Sequence, residues 1–105
     1  MGDIPDAVRD AVVVPRELGE LVPRFLAHRR ADVDRLREAL ERADFETVRG
    51  IGHAMKGAGA GYGFDEISTI GAALERLARA GDAGGALAEV RRLRDFLAGV
   101  KVVFE

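Results

Sequence analysis

The sequence predicts an all-α domain, an antiparallel up-and-down four-helix bundle with an additional N-terminal helix or helices. Three observations point there. Ala, Leu, Arg and Glu abound, five Phe and one Tyr are the only aromatics, and such a composition favours helix. Apolar side chains recur at three- and four-residue spacing instead of alternating. The breaks between apolar stripes are short, so consecutive helices should return alongside one another.

The elements follow in order. Ile4, Val8, Ala11 and Val12 form a short amphipathic stretch that Pro15 interrupts. Residues 1–14 therefore read as an N-terminal extension with a short helix, and 15–105 as the bundle domain. Pro15 suits a first helical position, and Leu18, Val22, Phe25, Leu26 and Arg29 continue that face, with a kink expected at Pro23. Val33, Leu36, Leu40 and Ala43 make the next stripe, with Asp32 available as its cap. Asp44 caps a helix through Phe45, Val48, Ile51, Gly52 and Met55, which the glycine-dense stretch from Gly57 to Gly63 closes. Asp65 caps the stripe Ile67, Ile70, Gly71, Leu74, Leu77 and Ala78. Gly81-Asp82 reads as a stop and a new cap. The last stripe is Leu87, Val90, Leu93, Leu97 and Val100, with Phe104 extending it. Val100 to Phe104 is the one strand-like segment, and its spacing still fits a helix end.

Composition narrows the function. A chain of 105 residues, 48% apolar, builds one core with a radius of gyration of about 13 Å. Sixteen Lys and Arg against eighteen Asp and Glu give a net charge of −2. The two signs are interleaved, without the basic stripe that nucleic-acid binding requires. Without cysteine there is no disulfide framework, thiolate metal site or thiol nucleophile. The longest apolar run, Ala11 to Val14, is far short of the roughly 20 residues that span a bilayer. The acidic start, with Asp3, Asp6 and Asp10, is unlike a signal peptide. A cytoplasmic protein is expected, and the preference for Arg over Lys hints at a bacterial source.

Common catalytic templates are missing. A phosphate-binding loop needs Gly-Lys-Ser/Thr, but Lys56 follows Met55 and Lys101 follows Val100. The glycines at 57, 59, 61 and 63 leave the third glycine of a dinucleotide motif on Tyr62 or Phe64. A di-iron bundle needs Glu-x-x-His, yet Gly50 and Phe25 stand three residues before the two histidines. No metal site is expected.

His53 departs from its helix's apolar stripe. At about 100° per residue it lies roughly 140° from Val48 and 160° from Met55, so it should face solvent. Arg49 and Gly50 lie one turn before it, Lys56 and Gly57 one turn after, and Ala60 two turns on. Glycines inside a helix each cost on the order of 0.5–1 kcal/mol relative to alanine, and here they clear the space around an imidazole. Of the sixteen basic side chains only two are Lys, and one is Lys56. From the residues alone, two readings stand: a reactive histidine approached by a large partner, or an ordinary polar residue among packing glycines.

The run His53-Ala54-Met55-Lys56-Gly57, followed by Gly63-Phe64, resembles the signature of histidine-containing phosphotransfer (HPt) domains of two-component phosphorelays. The resemblance extends from about Leu18 to Phe104, and includes the segment Leu21 to Leu26 and Ala73-Leu74-Glu75. It implies that His53 is the phosphoacceptor, that Lys56 supplies charge stabilisation, and that Gly57 and Gly63 are the clearance and turn glycines. The expected reaction is reversible transfer from a receiver-domain phospho-aspartate to the ring Nε2 and on to another receiver. With an unperturbed pKa of about 6.5, imidazole is mostly neutral and nucleophilic at pH 7. Phosphoryl transfer asks mainly for positioning and charge stabilisation.

The docking face is then Arg49, Gly50, Gly57, Ala60, Gly63 and Phe64 around His53. The resemblance implies receiver domains and a hybrid histidine kinase as partners. It places Mg²⁺ on the receiver, with no cofactor bound by this chain and no kinase activity of its own. A monomer is expected, with neither nucleic acid nor membrane as partner. His28 and Glu75 read as surface charges. One alternative is a non-catalytic helical module that regulates a receiver or kinase without carrying phosphate. Another is a fragment of a dimeric histidine kinase, against which no ATP-binding segment follows.

Overall fold

The structure, a computed structural model, describes residues 11–105. Four helices account for most of it: α1 (Val22–Glu41), α2 (Phe45–Tyr62), α3 (Asp65–Arg79) and α4 (Ala83–Gly99). A short ribbon joins the two ends of the described chain, β1 (Val12–Val14) pairing in parallel with β2 (Val102–Phe104) in the register Val12↔Val102 to Val14↔Phe104. The fold is mostly helical, with no closed sheet.

Several expectations change. The kinked helix from Pro15 and the stripe from Val33 are one helix, α1, preceded by a single 3₁₀ turn at Arg16–Leu18. Pro23 falls in the first turn of α1, where its missing N–H removes no intrahelical bond. Asp32, expected as a cap, is buried mid-helix. His28 stands exposed within α1. Of the expected N-terminal helix, Ile4 and Val8 lie outside the described residues, and Val12–Val14 is extended. Val100 to Phe104 ends in strand β2, not in a helical turn. Its partner strand is almost a chain length away, so local periodicity carries no trace of the pairing.

The helix boundaries have local causes. Asp44 accepts a hydrogen bond from Thr47 N at 3.1 Å and caps α2; Asp82 does the same for α4 through Gly85 N at 2.8 Å. Such caps satisfy N–H groups that have no partner inside the helix. The glycine-dense stretch does not close α2 as a block, since the helix runs on to Tyr62. It ends at Gly63, whose φ of 82° is the left-handed conformation glycine adopts freely. Phe64 is the residue before α3, and Asp65 sits one position inside it, in its acidic first turn.

The core draws on β1 and all four helices. Val14, Leu36, Val48, Met55, Phe64, Ile67, Ile70, Leu74, Val90 and Leu93 are fully buried. The approach of α2 to α3 is unusually close. A Cβ on Gly52 would lie 2.8 Å from Gly71 O, and one on Gly71 would lie 2.5 Å from Lys56 N. Only glycine fits such backbone-to-backbone contact. This closeness decides what happens one turn further along α3, at Glu75.

Candidate functional site

His53 projects from the middle of α2 with its side chain 66% exposed. Its ring does not stand alone. Nδ1 is 3.1 Å from Glu75 Oε2 on α3. Lys56 Nζ donates to Glu75 Oε1 at 3.0 Å, and Arg79 donates to Glu75 Oε2 at 3.1 Å. One buried carboxylate, its side chain 7% exposed, thus organises three basic groups supplied by two helices.

The electrostatics are self-consistent. The hydrogen bond from Lys56 holds the Glu75 carboxyl below its ordinary value, the contact with His53 and the charges of Lys56 and Arg79 act in the same direction, and desolvation opposes them. Glu75 is therefore ionised at neutral pH. An ionised carboxylate only accepts hydrogen bonds, so His53 Nδ1 carries the proton. That tautomer leaves the lone pair on Nε2, the nitrogen turned away from Glu75.

The glycines divide into two kinds. Gly52, Gly59 and Gly71 lie where a Cβ would collide with the neighbouring helix, whereas at Gly50, Gly57 and Gly61 a Cβ would meet nothing within 4 Å. Gly50 and Gly57 sit three residues before and four after His53, so the surface on both sides of the imidazole is bare. Ala60 is exposed two turns on, and Gly63 is exposed at the turn. Arg49 is half-buried and paired with Glu46.

Phe64 departs from its expected place on the docking face. It is fully buried and stacks on Phe25 with ring centroids 5.0 Å apart. The left-handed turn at Gly63 folds the chain back, with Phe64 N bonded to Gly59 O at 2.8 Å, so the ring enters the core. Glu75, expected as a surface charge, is the other correction. Glu75 lies one position from Leu74 in the apolar stripe, but only the approach of α3 to α2 encloses it. Arg79 escaped notice because its relation to His53 passes entirely through Glu75.

Among the described residues, no cluster of three or more His, Asp and Glu side chains is placed to hold a metal ion. No helix there is long and apolar enough to cross a membrane. No curated protein and no solved structure matches the chain significantly. A family model does: the Hpt domain matches residues 20–102, a span that contains all four helices and the whole His53–Glu75 cluster. Domains of this family carry out histidine phosphotransfer in phosphorelays, where they meet receiver domains and kinases. The chain is a member of the Hpt domain family.

Proposed function

We propose that His53 is the phosphoacceptor of this domain, taking a phosphoryl group from a receiver-domain aspartyl phosphate and passing it to another receiver. The observation that carries this reading is the exposed imidazole with Nδ1 tied to Glu75 and Nε2 open between two bare glycines. The Nε2 lone pair attacks phosphorus, the P–N bond forms, and the bond to the acyl oxygen breaks with release of the receiver's carboxylate. The ring then holds both the phosphoryl group and the Nδ1 proton, and so becomes cationic. Glu75, 3.1 Å from Nδ1, stabilises that developing positive charge. It acts here as a positioning residue. Lys56 stabilises the negative charge spread over the phosphoryl oxygens. Gly50, Gly57 and Ala60 give the receiver clearance, and the receiver supplies its own Mg²⁺. Reversal follows when the next receiver's aspartate attacks the same phosphorus.

The helices themselves we read as an antiparallel up-and-down bundle. The connections between successive helices are two or three residues long, and such short links favour antiparallel neighbours.

The test is transfer from a phosphorylated receiver domain to the chain and to His53→Gln, read by intact mass as an acid-labile, alkali-stable phosphoryl group. Label on the wild type alone is the expected result. Binding without label across a panel of receivers would instead mark a regulatory module that carries no phosphate.

A further inference from the structure

A carboxylate only 4% exposed in the middle of α1, Asp32, is an unusual choice for a helix core. Burial strips its hydration, and only close partners offset that loss. Its partners are on its own helix. Arg29 Nε lies 2.9 Å from Oδ2, and Arg35 donates to Oδ1 at 3.1 Å. Arg29 is itself largely buried, with its guanidinium 5.2 Å from the centroid of the Phe25 ring. Phe25, Arg29, Asp32 and Arg35 therefore form a continuous stack up one side of α1. The stack surfaces at Arg35, whose side chain is 61% exposed.

It surfaces beside the candidate site. A groove of about 300 Å³ runs between α1 and α2, lined by Asp32, Arg35, Thr47, Gly50, Ile51 and Ala54. Gly50 and Ala54 are three residues before and one after His53, so a partner covering the imidazole also covers this groove. Lys56 and Arg79 carry positive charge from the Glu75 side. The imidazole thus lies between cations contributed by three helices, which complements an acidic protein surface. Among the described residues, Arg35 has no partner other than Asp32, and its remaining guanidinium donors suit a carboxylate.

We propose that Arg35, tethered by buried Asp32, pairs with a carboxylate on the docking face of the receiver domain and helps to set which receivers are accepted. The proposal rests on the receiver-docking reading above. It is tested with the full chain and a Mg²⁺-loaded receiver domain, comparing wild type, Arg35→Gln, Asp32→Asn and Arg91→Gln. The last removes the same charge from an exposed site on α4. Circular dichroism checks the fold of each variant. Dissociation constants are measured at several salt concentrations. Labelling by the phospho-receiver is divided by labelling with phosphoramidate, a small donor that needs no docking surface.

Arg35→Gln should weaken binding about tenfold and flatten its salt dependence, with the labelling ratio falling in step. Asp32→Asn, which frees the arginine from its tether, should fall between Arg35→Gln and wild type, and Arg91→Gln should stay within about twofold of wild type. Equal affinities for Arg35→Gln and Arg91→Gln would overturn the proposal. A wild type that binds the receiver but takes no phosphoryl group would remove the transfer reading while leaving this binding test intact. A wild type that binds no receiver would overturn both.

Discussion

Substituting glycines one at a time separates the packing role of these residues from the clearance role. At Gly57 a Cβ meets nothing within 4 Å, and the residue is helical, so alanine should gain about 1 kcal/mol of helix propensity. For a domain of this size that raises Tm by roughly 4–8 °C. Leucine, also a good helix former, should keep the fold while filling the space beside His53. A displacement of about 1 Å at a reacting centre costs about a hundredfold in rate, so Gly57→Leu should lose transfer by that order. Gly71→Ala should behave oppositely. Its Cβ would stand 2.5 Å from Lys56 N and 2.6 Å from Gly52 O, both backbone atoms. Overpacking of that kind costs about 1–3 kcal/mol, which exceeds the propensity gain. It would also push Glu75, one turn further on, away from His53 and Lys56. Thermal melts by circular dichroism and phosphoryl transfer from a phospho-receiver read the two effects separately. Wild-type transfer by Gly57→Leu would refute the clearance argument, and a Gly71→Ala melt at or above wild type would refute the packing argument.

Four further outcomes are expected. Lys56→Ala should slow transfer about tenfold while lowering Tm only modestly, since its own side chain is 43% exposed and the buried Glu75 carboxylate keeps His53 and Arg79 as partners; a parallel fall in both would make Lys56 a structural residue. Glu75→Leu should slow transfer by about tenfold or more and abolish the Nδ1–H preference seen in ¹⁵N shifts of His53, whereas Glu75→Gln, which keeps an oxygen acceptor, should preserve that preference. Because the folded Glu75 carboxyl titrates below its ordinary value of 4.5, its contribution to stability is complete above that pH and is lost as pH falls through the lower folded value. Asp32, which burial raises above 3.8 against the pull of Arg29, Arg35 and His28, has the opposite slope, so the acid limb of Tm against pH should steepen in Asp32→Asn. Asp44→Ala should lower Tm by roughly 4–8 °C through loss of the α2 cap, with the transfer rate unchanged; a melt equal to wild type would remove Asp44 as a stability determinant.

Much of this was readable along the chain, because much of it is local. Asp44, Gly81 and Asp82 mark helix ends through bonds to residues three or four positions away, and those positions are fixed by sequence spacing. His53 stands off its apolar stripe for the same reason. Asp32 and Pro23 were misread as a cap and a kink because each has two local meanings, and only the continuity of α1 chooses between them. Phe64 was misread because an aromatic after a glycine turn has no local indicator of which side of the chain it enters. Val12–Val14 and Val102–Phe104 depend on each other, and neither has a nearby partner to betray the pairing.

The sequence by itself determined a helical domain, the exposure of His53 and the bare flank of Gly50 and Gly57, since these follow from periodicity and from the absence of side chains; its Hpt family membership rests on the motif around His53 and on the family match. Tertiary structure alone decided that Glu75 is the hub of the cluster. A glutamate near an apolar stripe can point to water or be enclosed, and the outcome depends on how closely the next helix comes. Gly52, Gly59 and Gly71 allow α2 and α3 to meet at backbone distance, and that distance brings one carboxylate within reach of His53, Lys56 and Arg79 together.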